Sequence, residues 1–341
     1  MTFRIILGDN RDTLKTLADN SIDAIVTDPP YGIDFLGKSW DANIGALETY
    51  QQCLRVLKPG GHILAFSAPR TYHHLAVTLE QAGFEIRDQI MWIYSSGFPK
   101  AQQVKGFEGW KNGGLKPGHE PIALARKPTK LSIEKNMQLY GVGGLNIDAT
   151  RVAYANDKDK NSIDHKVPTA AWSGHTIQVD SYEKGQFVKV ETNELGRFPS
   201  NVIGEITDYQ KYFYCPKISR SERHIGFDLS KIPTQPEGKF DRSNDPGNGN
   251  ERILNKGGNN HPTVKPVELM KYLIKLVTPA GGTVLDPFNG SGSTGMAAVE
   301  LGYDYIGCEL DPEYVKIAET RISAWANKDV ANNKYEDLFE E

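Results

Sequence analysis

The stretch TVLDPFNGSGSTGMAAVELGYDYIGCE, residues 283–309, gives the strongest indication of the fold. Its apolar start, Thr283–Leu285, predicts a strand that enters a glycine-rich turn, and a helix is predicted over 294–301. A second predicted strand, Tyr305–Cys308, ends at the acid Glu309, roughly 20 residues beyond the first strand. This spacing is typical of βαβ units that bind a nucleotide at the carboxyl edge of a parallel sheet.

Residues 290–295, GSGSTG, match the spacing GxGxxG, but the turn differs from the dinucleotide fingerprint because Asp286-Pro287-Phe288 precedes the glycines. An acid at this position suits a ligand with a cationic amino group better than a pyrophosphate, which it would repel. Gly290 and Gly292 would let a ligand approach the backbone closely. Glu309 would hold a ribose through its two hydroxyls. The alternative interpretation is an ordinary tight turn between a strand and a helix.

A second motif, Thr27-Asp28-Pro29-Pro30-Tyr31-Gly32, follows the apolar run Ile22–Val26. Two prolines cannot continue a sheet ladder, so the chain must turn there. The turn places a carboxylate, a carbonyl group and an aromatic ring at the edge of the sheet where ligands bind. Taken alone, so short a match is equally well explained by a proline-rich turn with a surface acid.

Strand and helix patterns alternate at both ends of the chain, which predicts a mostly parallel sheet. The predicted strands are 3–7, 22–26, 62–67, 84–94, 121–125, 283–285 and 305–308, and the predicted helices are 11–19, 45–57, 70–82, 267–277, 294–301 and 313–325. From 95 to about 260 the alternation breaks, and the segment reads as an insertion or a small second module. Residues 235–260 contain almost no apolar side chains and predict a mobile loop that orders on binding a partner.

The composition is that of a globular protein, with 39% hydrophobic and 24% charged residues among 341. No apolar run is long enough to span a membrane and the N-terminus lacks a signal-peptide pattern, so we expect no membrane partner and a cytoplasmic location. The three cysteines, Cys53, Cys215 and Cys308, lie far apart. They predict neither a disulfide framework nor a metal site.

The charge distribution is uneven, although the net charge is only −4. Residues 95–135 carry eight basic side chains against three acidic ones. This basic stretch is either a solvated face or a surface that contacts nucleic acid, and charge alone does not separate the two. The C-terminal residues form an acidic tail that we expect to fray.

Together, the motifs Asp28–Tyr31 and Asp286–Gly292 resemble those of amino DNA methyltransferases that use S-adenosyl-L-methionine. The catalytic motif comes first and the cofactor motif last, an order that resembles the beta class of this family. His261–Pro266 resembles the family segment just before the cofactor motif. Lys116–Pro121 and Tyr214–Lys217 resemble segments common in its phage and prophage members.

The resemblance implies a circularly permuted, Rossmann-like α/β methyltransferase fold with a mixed, mostly parallel seven-stranded sheet and a loop-rich target-recognition insertion. The expected division is a catalytic half over 1–94 and a target-recognition insertion over 95–260, which contains a core strand near 121–125. A cofactor-binding half follows over 261–327, and the acidic tail covers 328–341.

The resemblance also implies the roles of the catalytic motif, which consists of Asp28, Pro29, Pro30 and Tyr31. The Asp28 carboxylate and the Pro29 carbonyl would accept the two N–H bonds of an exocyclic amine and free its lone pair for attack on the sulfonium methyl. Tyr31 would stack on the target base, which must be flipped out of the duplex to reach the site. Phe35 and Trp40 are candidates for the same pocket.

The cofactor contacts that the resemblance carries over belong to Asp9, Thr263, Lys265, Asp286, Phe288, Gly290, Gly292 and Glu309. Phe288 and the two glycines would wrap the methionine portion, with Asp286 near its amino group. Thr263 and Lys265 would meet the methionine carboxylate, and Glu309 the ribose. Asp9 would accept from the adenine amine, unless it only forms the turn after the first strand.

The predicted function is site-specific N6-methylation of adenine in double-stranded DNA, because the aspartate form of the first motif usually accompanies adenine and the serine form cytosine. Two alternatives stay open: a cytosine N4-methyltransferase and a catalytically silent homologue that only binds nucleic acid. A protein-glutamine methyltransferase is disfavoured, because in that family the cofactor motif precedes the Pro-Pro-Tyr turn and Asn replaces Asp28. The family further suggests a homodimer and a cognate restriction endonuclease as partners.

Overall fold

The computed structural model describes residues 1–33, 44–94, 101–113, 115–161, 166–168, 187–189, 193–204, 218–232 and 258–336. The pocket candidates Phe35 and Trp40, the segment Tyr214–Lys217 and nearly all of the predicted loop 235–260 lie outside these residues. Within them, no helix combines the length and the apolar character needed to cross a membrane.

Strands and helices alternate along both ends of the described chain. The strands are β1 (Phe3–Leu7), β2 (Ile22–Thr27), β3 (Leu57–Phe66), β4 (Glu85–Ile93), β5 (His119–Arg126), β6 (Lys166–Pro168), β7 (Phe187–Lys189), β8 (Val202–Gly204), β9 (Thr283–Asp286) and β10 (Asp304–Glu309). The helices are α1 (Asn10–Thr13), α2 (Leu47–Val56), α3 (Tyr72–Ala82), α4 (Ile133–Tyr140), α5 (Asp157–Asn161), α6 (Arg220–Arg223), α7 (Val267–Val277), α8 (Ser293–Glu300) and α9 (Pro312–Glu336).

One sheet joins both ends of the chain in the strand order β1-β10-β9-β2-β3-β5-β4-β8. β5 runs antiparallel to both of its neighbours, and the other pairings in this sheet are parallel. The mixed, mostly parallel α/β fold is therefore confirmed. The predicted strand number of seven is wrong, because the short β8 adds an eighth strand beside β4.

Helices cover both faces of the sheet, because the strands alternate their buried side chains between two cores. On β2, Ala24 and Val26 point into a core with α7, α8 and α9, whereas Ile25 packs into a second core with α2 and α3. All six residues of β2 are buried, as expected for a central strand covered on both faces.

Several predicted boundaries differ from the structure. The helix predicted over 11–19 is only α1 followed by a 3-10 turn at Leu14–Thr16. β3 starts at Leu57, five residues earlier than predicted, because the chain passes from α2 directly into pairing with β2. The sequence patterns also miss α4, whose first turn Ser132 caps by accepting from the Lys135 backbone N–H.

The parallel strands bring their carboxyl ends to one edge of the sheet. β2, β9 and β10 end there at Thr27, Asp286 and Glu309. Because β5 runs in the opposite direction, its first residues, His119 and Glu120, also lie at this edge. The candidate site is thus built from strand ends of both directions.

Candidate active site

A cleft of about 1040 Å³ opens at this edge of the sheet. Its walls include eleven of the twelve predicted site residues, namely Asp9, Asp28, Pro29, Pro30, Tyr31, Thr263, Lys265, Asp286, Phe288, Gly290 and Glu309. The exception is Gly292, which does not line the cleft. The two motifs, more than 250 positions apart in the sequence, therefore face one space. In the described residues no cluster of His, Cys, Asp and Glu side chains is arranged to hold a metal ion.

Two buried residues join the catalytic turn to the cofactor turn. The Thr27 hydroxyl, at the end of β2, donates to Asp286 Oδ1 at 2.7 Å. Asp286 Oδ2 accepts from the Thr294 hydroxyl at 2.7 Å, and Asp286 Oδ1 also accepts from the Phe288 backbone N–H at 3.0 Å. Burial raises the pKa of Asp286 to about 6, although these three hydrogen bonds oppose the shift. The position of Asp286 is fixed before any ligand arrives.

Asp28 lies in a cluster of charged and hydroxyl groups. Lys265 Nζ donates to Asp28 Oδ2 at 2.5 Å, and the Tyr31 hydroxyl lies 2.8 Å from Asp28 Oδ1. Glu120, which the sequence analysis named only within the segment Lys116–Pro121 and without a site role, places Oε2 at 2.9 Å from the same Tyr31 hydroxyl. Burial and the neighbouring carboxylates of Asp28 and Glu120 raise the pKa of Tyr31 well above its ordinary value, so its phenol stays protonated.

Glu309, at the end of β10, also lines the cleft. Its Oε2 accepts from the Gly290 backbone N–H at 2.7 Å, and its Oε1 from the Asp311 backbone N–H at 2.9 Å. Burial raises the pKa of Glu309 to about 7, against the lowering effect of these backbone N–H groups. Glu309 therefore changes its charge near neutral pH.

Asp9 is already engaged by its own turn. It caps α1 by accepting from the Arg11 backbone N–H, and its carboxylate also binds the Arg11 guanidinium at 2.5 Å. The side-chain hydrogen bond from Arg11 lowers the pKa of Asp9. The turn-forming role is therefore present in the structure, while contact between Asp9 and a ligand stays a prediction.

Two further residues shape the glycine-rich turn. Arg321 of α9 is fully buried and donates to the Ser291 carbonyl at 2.5 Å and to the Ser291 hydroxyl at 3.1 Å. His261 sits where a side chain at Gly290 would be, because a Cβ there would lie 2.9 Å from His261 Nε2. Burial lowers the pKa of His261 to about 4, so its ring is neutral. Of these two, the sequence analysis named only His261, as part of the segment before the cofactor motif.

The family model for DNA methylases of the N6 and N4 type matches residues 22–320, which include both motifs and the whole segment between them.

The chain belongs to the N6/N4 DNA methylase family. It is 25% identical to the type II methyltransferase M.HpaI of Haemophilus parainfluenzae over 339 residues, which cover 96% of this chain and 76% of that protein. It is also 25% identical to the DNA adenine methyltransferase YhdJ of Escherichia coli K12, covering 93% of this chain and 82% of that protein. The resemblance to amino DNA methyltransferases is confirmed.

Among solved structures, the PvuII cytosine-N4-specific DNA methyltransferase aligns with a TM-score of 0.50 and 15% identity, covering 96% of this chain and 92% of that chain. At this identity the likeness shows the fold alone, and it agrees with the mixed sheet. As in the rest of the DNA methylase family, S-adenosyl-L-methionine is the methyl donor. The cleft suits this cofactor, because the acids Asp286 and Glu309 line it together with Gly290 of the glycine-rich turn. Their contacts to the amino group and to the ribose stay predictions.

Gly292 stands apart from the other predicted cofactor residues of this methylase. It precedes α8 with a φ of +80°, and a Cβ there would lie 3.0 Å from Ala318 Cβ and from Ile322 Cδ1 of α9. Gly302 has the same φ of +80° but open space beside it, since no heavy atom lies within 4 Å of the position that a Cβ would take. Both glycines adopt a positive φ, which favours glycine, but only at Gly292 does the absence of a side chain also let α9 pack closely.

We therefore expect Gly292→Ala to lower the free energy of unfolding by about 1–3 kcal/mol more than Gly302→Ala, because overpacking adds to the same backbone strain. Chemical denaturation of both variants measures the difference. Equal losses would show that packing against α9 does not explain Gly292. A cofactor affinity that falls in the well-folded Gly292→Ala protein would support the predicted direct contact.

The charge change of Glu309 predicts a pH-dependent cofactor affinity. If the ribose hydroxyls donate to this carboxylate, binding needs its ionised form, and protonation through about pH 7 removes that form. The dissociation constant should then rise roughly tenfold for each pH unit below 7. Calorimetry between pH 5.5 and 8.5 measures it. Glu309→Gln should bind weakly with a flatter profile, whereas an unchanged wild-type affinity across the range would contradict the ribose contact.

Proposed function

We propose that this chain transfers a methyl group from S-adenosyl-L-methionine to the N6 amine of adenine in DNA. The observation that carries the proposal is the position of Asp28, whose carboxylate faces the same cleft as the cofactor turn and is held by Lys265 and Tyr31. A silent homologue has no physical need of such a fixed acceptor beside a cofactor site. The proposal therefore disfavours the binding-only alternative.

The chemistry requires an amine whose lone pair is free to attack. In a nucleobase that lone pair is delocalised into the ring. The Asp28 carboxylate and the Pro29 carbonyl would accept the two N–H bonds, drawing the nitrogen toward tetrahedral geometry. The bound cofactor supplies an electrophilic methyl group on a sulfonium. Asp28 acts by orientation and charge, and it need not take a proton before attack. The amine nitrogen would bond to the methyl carbon as the bond between sulfur and that carbon breaks, with its electron pair left on sulfur. The nitrogen would then release one proton to solvent, which leaves the neutral N-methyl amine.

The target base must leave the duplex to reach this cleft, at a cost of a few kcal/mol. Stacking on the Tyr31 ring would return about 1–3 kcal/mol of that cost. The Tyr31 hydroxyl is tied to the cluster of acids, so the orientation of its ring is restricted before the base arrives. Base flipping and this stacking contact are both parts of the proposal.

Two observations favour adenine over cytosine as the target base. The first motif begins with aspartate, the form that usually accompanies adenine N6, and the relative YhdJ is named as an adenine methyltransferase. Cytosine N4 is the second candidate, since the family model covers both chemistries. The cognate restriction endonuclease stays a prediction, which the type II name of M.HpaI supports. The homodimer, the phage-like origin and the division at 94, 260 and 327 also stay predictions.

A hairpin between β4 and β5 is the part of the predicted recognition insertion that we expect to contact DNA. In this aromatic hairpin, residues 102–112, Gln103 pairs with Lys111. Phe107 and Trp110 expose 62% and 71% of their surface beside the exposed Lys105 and Lys111. Exposed aromatic rings with adjacent cations are the combination that binds bases and phosphates.

We expect the double substitution Phe107→Ala, Trp110→Ala to weaken duplex DNA binding by roughly 30-fold or more, because each of the two lost base contacts costs about 1–3 kcal/mol and about 1.4 kcal/mol corresponds to a tenfold change. Fluorescence anisotropy with an unmethylated duplex measures the affinity. Leu139→Ala on α4 is the control, since Leu139 is a similarly exposed apolar residue outside the hairpin. An unchanged affinity in the double variant would remove the hairpin from the DNA surface.

The proposed function is tested by incubating the full chain with methyl-labelled S-adenosyl-L-methionine and, separately, duplex DNA, single-stranded DNA, RNA or protein. Label should enter DNA, and the duplex should be the better substrate. Label in RNA or protein alone would contradict the substrate class. Bound cofactor without transfer to any of the four would favour the silent homologue.

A further inference from the structure

We infer that Lys265 and Glu120 belong to the methyl-acceptor half of the site, where Lys265 holds Asp28 as a charged acceptor and Glu120 positions Lys265 and Tyr31. This inference rests on the proposed function. It departs from the predicted role of Lys265 at the cofactor carboxylate. We refer to Asp28, Tyr31, Glu120 and Lys265 as the acceptor cluster.

The Lys265 ammonium is fully committed within the acceptor cluster. Its three N–H donors have three acceptors: Asp28 Oδ2 at 2.5 Å, the Tyr31 hydroxyl at 3.0 Å and Glu120 Oε2 at 3.4 Å. Only 7% of its side chain is exposed, and the Phe66 ring lies 4.8 Å from Nζ. An ammonium that uses all three donors in this way has none left for a cofactor carboxylate.

The charge of Lys265 is held by its two acidic neighbours. Burial alone would lower the pKa of Lys265, but the carboxylates of Asp28 and Glu120 raise it above its ordinary value. Lys265 therefore stays a cation in a poorly solvated place. One cation between two carboxylates offsets the repulsion that they would otherwise exert on each other.

Glu120 offers the Tyr31 hydroxyl an alternative acceptor. The hydroxyl has a single proton, and Asp28 Oδ1 at 2.8 Å and Glu120 Oε2 at 2.9 Å both lie within reach of it. When the hydroxyl donates to Glu120, Asp28 Oδ1 becomes available to accept the N–H of the target amine. Glu120 acts through Tyr31 and Lys265 and is therefore a positioning residue.

Three other titratable groups near the acceptor cluster come from separate parts of the fold. The Tyr94 hydroxyl, just after β4, approaches Glu120 Oε1 at 3.4 Å, and burial first and Glu120 second raise the pKa of Tyr94. The negative charge of Asp28 acts in the raising direction on the pKa of Asp286, at the end of β9, and on the pKa of His261, whose ring is neutral. Since His261 is neutral and Tyr94 is protonated, Lys265 is the cation that faces the Asp28 carboxylate among the described residues.

The test compares the pH dependence of kcat in wild type, Lys265→Met, Glu120→Gln and the double variant. Lys265→Met leaves two carboxylates facing each other, so the acidic limb of the profile should move up by about one pH unit or more. In Glu120→Gln the Lys265 ammonium faces only the carboxylate of Asp28, so the acidic limb should move to lower pH. Adding Glu120→Gln to Lys265→Met should bring the limb back toward wild type.

Cofactor affinity provides the second readout and does not depend on activity. We expect the dissociation constant of S-adenosyl-L-methionine to change less than about threefold in every variant, which is under 1 kcal/mol. Lys271→Met is the matched control, because Lys271 binds Glu268 at 2.7 Å and Glu300 at 2.5 Å outside the cleft. This control should leave both the profile and the affinity unchanged.

A tenfold loss of cofactor affinity in Lys265→Met with an unmoved acidic limb would overturn the inference and restore the cofactor role. If Lys265→Met does not fold, the downward shift in Glu120→Gln decides, and an unmoved limb there overturns the inference. Failure of the proposed function looks different, because the wild type itself would then methylate no DNA.

Discussion

Replacing Asp28 with Ala should lower kcat for DNA methylation by at least about 10²–10³-fold, the loss seen when one preorganised group at a reacting centre is removed. The target amine would lose the carboxylate that orients it and draws its nitrogen toward tetrahedral geometry. Cofactor binding should stay nearly intact, because the hydrogen bonds of Asp28 run to Lys265 and Tyr31. Single-turnover methylation and calorimetric cofactor titration measure the two effects separately.

Asp28→Asn is the control that separates shape from charge. The amide keeps one acceptor oxygen and the same size, so the target can still bind, but it carries no negative charge against Lys265. We expect the methylation rate of Asp28→Asn to lie between the rates of wild type and Asp28→Ala. Full activity of Asp28→Ala would show that methyl transfer does not use this carboxylate, and the mechanism would have to be abandoned.

The second large effect is expected at Asp286, which accepts three structural hydrogen bonds and is also a predicted cofactor residue. Asp286→Ala removes the acceptor of the Thr27 and Thr294 hydroxyls and of the Phe288 backbone N–H. The two hydroxyl contacts are buried and the Phe288 contact is partly buried, and each unsatisfied buried donor costs about 1–3 kcal/mol. We expect a loss of about 3 kcal/mol or more in the free energy of unfolding, together with loss of detectable cofactor binding.

Asp286→Asn distinguishes the structural part of this effect from the ligand part. The amide oxygen can accept two of the three hydrogen bonds, and its nitrogen can donate to the Thr294 hydroxyl, so stability should fall by less than about 1.5 kcal/mol. If Asp286 meets the amino group as predicted, cofactor affinity should still drop, because Asn carries no negative charge. Wild-type affinity in a stable Asp286→Asn protein would contradict the predicted amino-group contact.

Much of the site could be predicted because its chemistry sits where parallel strands end. The apolar runs before Asp28 and before Asp286 are local patterns, and parallel strands bring such ends to one edge. That geometric rule placed two distant motifs in one cleft. The same local patterns recovered β2, β9 and β10 within one residue at each end, which is inside the usual uncertainty at element ends.

The site role of Glu120 was missed because its position depends on strand direction. Residues 121–125 were predicted as a strand, but local pattern does not reveal that β5 runs antiparallel to β3 and β4. Only that reversal brings the first residues of β5 to the carboxyl edge. Likewise, the three-residue β8 exists through its pairing with β4 rather than through its own sequence pattern.

Lys265 and Gly292 show a different limit. Both belong to motifs that the resemblance identified, but a motif does not say which neighbour each side chain meets. The Lys265 ammonium binds the carboxylate of Asp28, which lies 237 positions earlier in the chain. Gly292 faces α9, whose packing is a tertiary property. Side-chain partners of this kind follow from the assembled sheet and helices.

Nucleoside mass spectrometry of unmethylated DNA, treated with the full chain and S-adenosyl-L-methionine and then digested, tests the central claim most directly. We expect N6-methyladenine in the wild-type reaction and none above background with Asp28→Ala. N4-methylcytosine would contradict the choice of adenine while keeping the fold and the mechanism. DNA that stays free of methylated bases while the protein binds the cofactor would contradict the claim of DNA methylation itself.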